Sequence, residues 1–330
     1  MGEVRALWFS DGSLWVIDQR LLPLEKKELN LKSVDQVAEA IRTLTVRGAP
    51  AIGVAAAYGM VLAERNDKFT PERASEILRS TRPTAHDLFA GVDHVLKAWK
   101  AGMDTLQAAD EFKEKVVTEC AEIGKHGAPL LKKNARVLTH CNAGALATVE
   151  WGSALAPIRV AHREGRTPFV WVDETRPLLQ GSRLTAWELK EEGIAHAVIA
   201  DNAAGYFMHN GEVDIVIVGA DRITRSGDFA NKIGTYEKAV LAKENSIPFF
   251  VAAPWSTFDA NLRSGADIPI EERSGDEVLS FAAQRTSPLE SKARNPAFDV
   301  TPSNYVTGFI TPGGVFSPGK VSEVIDKLLK

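Results

Sequence analysis

From Asn134 onward the chain alternates short apolar runs, rich in β-branched residues, with helical stretches, and this alternation constrains the fold more than any other feature. The runs are Arg136 to His140, Phe169 to Val172, Ala197 to Ala200, Ile215 to Val218, Phe249 to Ala252 and Tyr305 to Ile310. Helical patterns lie between them, notably at Ala145 to Arg163, Arg183 to Glu192 and Lys232 to Glu244. Strands that read as unbroken apolar runs are buried on both faces, and their alternation with helices is the pattern of right-handed βαβ crossovers. The expectation is an α/β fold, with a doubly wound, Rossmann-like parallel sheet domain over residues 129–330.

Residues 1–128 read differently. Ala6 to Phe9 and Leu14 to Ile17 flank Ser10-Asp-Gly-Ser13, whose Asp-Gly favours a tight hairpin turn. Helices then dominate. Ser33-x-x-Gln36 is a capping box opening Val34 to Leu44, and Pro50 stands ahead of an apolar helix running from Ala51 to Arg65. Thr70-Pro71 opens another helix, the segment after Arg82-Pro83-Thr84 a fourth, and Asp104 to about Lys125 a fifth. This predicts a mainly helical N-terminal domain with a small β entry, joined to the sheet domain near Gly124 to Asn134.

With 330 residues and 45% hydrophobic content, the chain can bury a full core without staples. Cys120 and Cys141 are its only cysteines, and their separation argues against a disulfide framework or a zinc site, as expected in a reducing compartment. Apolar stretches fall short of a membrane span and the N-terminus lacks a signal-peptide arrangement, so the expectation is a soluble cytoplasmic protein with no membrane partner. A net charge of -4 disfavours nucleic acid as the principal partner.

The chemistry concentrates where strands end. Ala135-Arg-Val-Leu-Thr-His140-Cys141-Asn-Ala-Gly144 delivers a thiol, and Asp214-Ile-Val-Ile-Val-Gly-Ala-Asp221 delivers a carboxyl. In an open parallel sheet such ends line the ligand crevice. Asp173 to Arg176, Asp201, Asn202 and Pro254 share that rim if the sheet is parallel. A helix start just after Cys141 would favour a reactive thiolate, whereas Cys120, on a helix, reads as a packing residue. The apolar approach to Asp221 suggests a carboxyl kept protonated for use as an acid, the alternative being a helix cap or a partner for Arg222. No Gly-x-Gly-x-x-Gly, Walker lysine, His-Glu-x-x-His or Gly-x-Ser-x-Gly occurs, so no dinucleotide, nucleotide or metal cofactor is expected.

Anion-binding signals are individually weak. Arg47-Gly48-Ala49-Pro50 combines a cation, a flexible turn and a helix start, which could make a phosphate cradle or could be a loop arginine beside a steric glycine. Arg82 before Pro83, Asn231-Lys232 at an expected helix start, and Gln180, whose amide could donate to a phosphate oxygen, are further candidates. The residues alone point to a cofactor-free enzyme acting on a phosphorylated small molecule.

Several motifs together resemble the S-methyl-5-thioribose-1-phosphate isomerase family, part of a superfamily with ribose-1,5-bisphosphate isomerases and the regulatory subunits of translation initiation factor 2B. They are Val46-Arg-Gly-Ala-Pro-Ala-Ile-Gly53, Arg82-Pro-Thr84, Thr139-His-Cys-Asn-Ala-Gly144, Asp173 through Trp187, Asp201-Asn202, Val218-Gly-Ala-Asp-Arg222, Asp228 through Thr235 and Ile268 to Arg273. The resemblance runs nearly end to end. It implies that Cys141 and Asp221 are the catalytic pair, and that Arg47, Gly48, Ala49, Arg82, Gln180, Asn231 and Lys232 hold substrate and its phosphate. It also implies aldose–ketose isomerisation in methionine salvage and a homodimer. Ala85-His-Asp-Leu88 departs from the Val-Asn-Leu more usual in the family.

On that resemblance the substrate is an aldose 1-phosphate, whose esterified anomeric oxygen prevents ordinary ring opening. Asp221 would protonate the ring oxygen, and Cys141 would act in the C2-to-C1 transfer by an enediol or a hydride route. A ribose 1,5-bisphosphate or 5-deoxyribose 1-phosphate isomerase, and a non-catalytic regulatory subunit, are the alternatives. A methylthio group wants apolar walls, whereas a second phosphate wants a further cation.

Overall fold

The computed structural model describes residues 4–82, 86–281 and 284–329. Pro83 and Thr84 of the Arg-Pro-Thr motif, with Ala85, lie outside the described residues. The expected hairpin is present: β1 (Leu7–Ser10) pairs antiparallel with β2 (Ser13–Ile17). Asp11 and Gly12 have φ of 52° and 71°, the doubly left-handed turn that matches strand twist. A third strand, β3 (Glu28–Leu31), adds to β2 and was not foreseen, because four alternating residues are too short a signal.

Ser33 caps α1 (Val34–Arg42) by accepting from the Gln36 N–H, while Gln36 Oε1 accepts from the Lys32 N–H, one residue before the cap. Next comes α2 (Ala49–Leu62), with Pro50 in its first turn. Its Ala- and Gly-rich sequence is buried from Ala51 onward, so it forms the axis of the helical region. Around it pack α3 (Pro71–Arg79), α4 (His86–Lys100) and α5 (Thr105–Gly127). Thr70 and Asp104 cap α3 and α5, each cap stabilising by about 1 kcal/mol. The first half of α5 joins the core around α2, whereas Ile123 packs with the flank of the sheet.

The second half runs β4 (Arg136–Thr139), α6 (Ala145–Thr148), α7 (Leu155–Arg163), β5 (Phe169–Asp173), α8 (Ala186–Glu191), β6 (Ala195–Ile199), α9 (Ala204–His209), β7 (Ile215–Val218), β8 (Arg222–Ile223), β9 (Phe229–Lys232), α10 (Thr235–Glu244) and β10 (Phe249–Ala252). Then follow α11 (Asp276–Leu279), the small hairpin β11 (Ser280–Phe281) and β12 (Gln284–Arg285), β13 (Phe298–Thr301), β14 (Gly308–Thr311), β15 (Gly314–Phe316) and α12 (Val321–Leu328). Seven strands form one sheet in the order β15-β14-β10-β7-β4-β5-β6, parallel except for β15. Apolar cores cover both faces, as the unbroken apolar strands require. Among the described residues no helix is long and apolar enough to cross a membrane.

Two expectations fail. The stretch Ala145 to Arg163 is two helices, broken where Val149, Trp151 and Gly152 take positive φ. The broken stretch is held from outside, where the Ala6 N–H donates to the Val149 carbonyl and Arg159 to the Trp151 carbonyl, and from within, where Thr148 Oγ1 donates to the Glu150 carbonyl. Asn231 and Lys232 stand on β9 rather than at a helix start, within an antiparallel sheet ordered β13-β9-β8. Helix α10 starts only at Thr235, after Gly234 at φ 100°.

Candidate active site

Strands β4 and β7 are neighbours, and the chain leaves them in opposite directions: from β4 outward to β5 and β6, from β7 outward to β10 and β14. The connections therefore diverge above this pair, opening the crevice where doubly wound sheets bind ligands. Cys141 follows β4 and Asp221 follows β7, so the two residues flank the switch point. Thr139 Oγ1 donates to the Ile217 carbonyl at 2.8 Å, tying the strands together just beneath.

Cys141 is half-buried and has φ 65°, a conformation costing on the order of 1–3 kcal/mol in a residue with a Cβ. Its peptide groups are clamped on both sides. The Cys141 N–H donates to Thr175 Oγ1 at 2.8 Å, and Thr185 Oγ1 donates to the Cys141 carbonyl at 2.7 Å. The thiolate expectation is not met. Burial pushes the thiol up, with Arg47 and Lys232 pulling it back, and the start of α6 does not serve it. The Ala145 and Leu146 N–H groups point at Glu188, a fully buried acid from α8.

Arg47 reaches this turn from the start of α2. Its Nη2 donates to the Asn142 carbonyl at 2.7 Å and to Asn142 Oδ1. Gly48 follows with φ 89°, and a Cβ there would meet Ala147 Cα at 2.5 Å, so only glycine lets the α2 start approach α6 so closely. The Arg47-Gly48-Ala49 turn thus stands beside Cys141.

On the other side, Asp221 opens to solvent although protein atoms crowd around it. Loss of solvation raises its carboxyl above the usual range, against the pull of Lys232, Arg82 and Arg47. Its N–H donates to the Ala230 carbonyl, which holds β8 against β9 and brings Asn231 and Lys232 alongside. Lys232 Nζ donates to the Ala297 carbonyl at 2.7 Å and lies 4.5 Å from the centre of the Phe298 ring. Burial lowers its pKa, while the charges of Cys141 and Asp221 raise it. Arg82 Nη2 lies 3.6 Å from Glu271. Cys141, Asp221, Arg47 and Lys232 therefore act electrostatically on one another, and Arg82 acts on Asp221 and Arg47. Arg47 Nε and Gln180 Oε1 are two of seven buried side-chain atoms with no hydrogen-bond partner among the described residues.

Other rim residues serve the frame. Asp173 is buried within β5, its Oδ2 2.9 Å from His140 Nδ1 and 3.6 Å from Lys238 Nζ. Asp201 accepts from the Thr175 and Arg176 N–H groups at 2.7 Å each. His140, Asp173 and Asp201 offer ligand atoms within 4.8 Å of one another; Asp173 Oδ2 and Asp201 are engaged by these contacts and His140 Nε2 faces the Ile233 carbonyl, whereas Asp173 Oδ1 has no hydrogen-bond partner. Cys120 is fully buried and its thiol is pushed up to about 12, in keeping with a packing residue. Sequence reasoning missed Glu188. Its only signal was an acid within the apolar run Leu184-Thr-Ala-Trp-Glu-Leu189.

The fold is thus a doubly wound α/β sheet whose switch point is flanked by a thiol and a carboxyl, with three cations acting on them. The chain belongs to the Initiation factor 2 subunit family, whose model matches residues 45–318. It is 50% identical over 323 residues to a methylthioribose-1-phosphate isomerase of Aquifex aeolicus, covering 98% of this chain and 71% of that one. To the methylthioribose-1-phosphate isomerase of Carboxydothermus hydrogenoformans it is 49% identical, covering 94% and 95%. The crystal structure of 5-methylthioribose 1-phosphate isomerase from Pyrococcus horikoshii superimposes with a TM-score of 0.92 at 46% identity, covering 98% of this chain and 95% of that one. A structure described as the delta subunit of translation initiation factor eIF-2B from A. fulgidus superimposes at 0.90 with 44% identity, covering 99% of each.

Proposed function

We propose that this chain is an aldose–ketose isomerase converting 5-methylthioribose 1-phosphate to 5-methylthioribulose 1-phosphate, a step of methionine salvage. The observation that carries the reading is the placement of Cys141 and Asp221 on either side of the switch point, with cations around both. Relatives with that printed activity, at about half identity over nearly the whole chain, support the substrate.

The chemistry follows from the environments. Desolvation raises the Asp221 carboxyl, which makes it a better donor group for protonating the ring oxygen while the phosphate ester stays attached. The Cys141 thiol also holds its proton more tightly than a free cysteine. As a base at C2 it would have to lose that proton first, which Arg47 and Lys232 favour. In a hydride route it would serve the C2 hydroxyl instead. Arg47, Arg82 and Lys232 supply charge for the phosphate; the α2 turn at Gly48 and Ala49 supplies backbone N–H groups, and Gln180 and Asn231 supply side-chain amides. The reading needs neither metal nor nucleotide. It places the protein in the cytoplasm as a homodimer and divides it into a helical unit, 1–128, and a catalytic unit, 129–330, bridged by α5.

The test is incubation of the purified protein with 5-methylthioribose 1-phosphate, ribose 1,5-bisphosphate and 5-deoxyribose 1-phosphate, following ketose formation. The methylthio sugar should turn over fastest. No ketose from any of the three would overturn the enzyme reading and favour a regulatory binding subunit, the alternative suggested by the A. fulgidus structure's description.

A further inference from the structure

In a doubly wound fold the turn after the first strand of the sheet commonly receives an anion on the N–H groups of the following helix. Here that strand is β4, and a carboxylate of the chain itself occupies the position. The Ala145 N–H donates to Glu188 Oε2 at 2.7 Å and the Leu146 N–H to Oε1 at 3.2 Å. Glu188 is fully buried, and Arg159, itself nearly inaccessible, donates to Oε2 through Nη2. A Cβ on Gly144 would lie 2.3 Å from the carboxylate, so the glycine of Cys-Asn-Ala-Gly is what admits the acid.

Glu188 Oε1 also accepts from Asn142 Nδ2 at 2.8 Å. A carboxylate can only accept and a guanidinium can only donate, so Asn142, between them, has one possible orientation: amide nitrogen toward Glu188, amide oxygen toward Arg47. With its Nη2 held on the Asn142 oxygens, Arg47 keeps a buried Nε–H that has no partner among the described residues.

We propose that Glu188 is a positioning residue for the reaction: held by the Ala145 and Leu146 N–H groups and by Arg159, it fixes Asn142, and through Asn142 it aims the Arg47 guanidinium at the substrate phosphate. This rests on the assignment of Arg47 as a phosphate ligand. Glutamine at 188 turns an NH2 group either toward Arg159 Nη2 and the Ala145 N–H or toward Asn142 Nδ2 and the Leu146 N–H, all of them donors; in the second arrangement Asn142 is pushed from its place and Arg47 loses its aim.

The experiment is a double-mutant cycle on the KM for 5-methylthioribose 1-phosphate, with Glu188→Gln, Arg47→Ala and the pair. A phosphate contact kept throughout the reaction acts on ground and transition states alike, so Glu188→Gln should raise KM roughly tenfold with little change in kcat. In the Arg47→Ala background it should add almost nothing, because its target is gone. If the two single effects multiply in the pair, or if Glu188→Gln lowers the melting temperature with KM unchanged, Glu188 is structural only and the proposal is overturned. If Arg47→Ala alone leaves KM unchanged, the phosphate assignment fails first, a separate result. Should Glu188→Gln not fold, Asn142→Ser cuts the same link with the Arg159–Glu188 pair intact. The same two outcomes then decide.

Discussion

The two walls of the crevice are built on opposite plans. On the Cys141 wall most polar groups are engaged within the protein: Thr175 and Thr185 clamp the peptide of the thiol, Glu188 takes the N–H groups of α6, and Asn142 links Glu188 to Arg47, whose Nε alone is left without a partner among these groups. On the Asp221 wall the carboxyl opens to solvent, with Lys232 and Arg82 carried on β9 and on the segment before α4. One wall is a rigid frame holding a strained residue, and the other is a charged surface that a ligand can complete. Strain at φ 65° needs over-determination by neighbours, whereas an acid that must give up a proton needs access to substrate.

The sharpest way to break this comparison is to remove the reacting group from each wall. Cys141→Ser and Asp221→Asn should each lower kcat by about 100- to 10,000-fold with the fold retained, measured by ketose formation and circular dichroism. Turnover near wild type in both would mean that neither wall carries the chemistry.

A smaller contrast separates the two thiols. Cys141 is half-buried beside two cations, whereas Cys120 is fully buried and its thiol is pushed up to about 12. Alkylation should therefore modify Cys141 first, by at least roughly tenfold, and faster as pH rises, because only the thiolate reacts and burial has raised its pKa. Substrate should protect it. Mass spectrometry of the inactivated protein reads the site, and an adduct on Cys120 with Cys141 free would contradict the geometry.

Arg47→Ala and Lys232→Ala should act on affinity more than on turnover. Losing one charge-assisted contact costs about 1.5 to 3 kcal/mol, so KM should rise roughly ten- to a hundredfold with kcat far less affected. An unchanged KM in both variants would move the phosphate elsewhere.

The smallest effect is on stability. Protein atoms crowded around the solvent-facing Asp221 carboxyl cost it part of its solvation and raise it above its ordinary 3.8. The folded state then holds that proton more tightly, so this group's stabilising share is full below the unfolded value and is lost as pH rises through the folded one. Asp221→Asn cannot ionise, and it should melt above wild type at about pH 8, with the difference closing toward about pH 4. A variant that melts lower at the higher pH would show that the cations around Asp221 outweigh its desolvation.

Much of this was legible without coordinates because it depends on local period. The six parallel strands appear within a few residues of their expected places, since an apolar run buried on both faces looks the same in sequence and in space. The hairpin at Asp11-Gly12 and the caps at Ser33, Thr70 and Asp104 follow from single residues with one favourable role. Helix α6 ended early for a reason no window could show: the Thr148 to Gly152 stretch is held by Ala6 and Arg159. The β8-β9-β13 sheet was missed because β8 is only two residues long and β9 finds β13 far along the chain, Lys232 with Phe298.

Sequence by itself determined the alternation of strand and helix, and hence that a thiol and a carboxyl would each stand at the end of a buried strand. Only the tertiary structure decided that those strands are neighbours at the switch point, that Lys232 arrives on a strand beside Asp221, and that Glu188 holds the N–H groups expected to serve Cys141. The physical reason is range. Period and capping are set by residues within a turn or two of each other, whereas desolvation, charge and hydrogen bonding at a site are set by groups that are distant in the chain and adjacent in space.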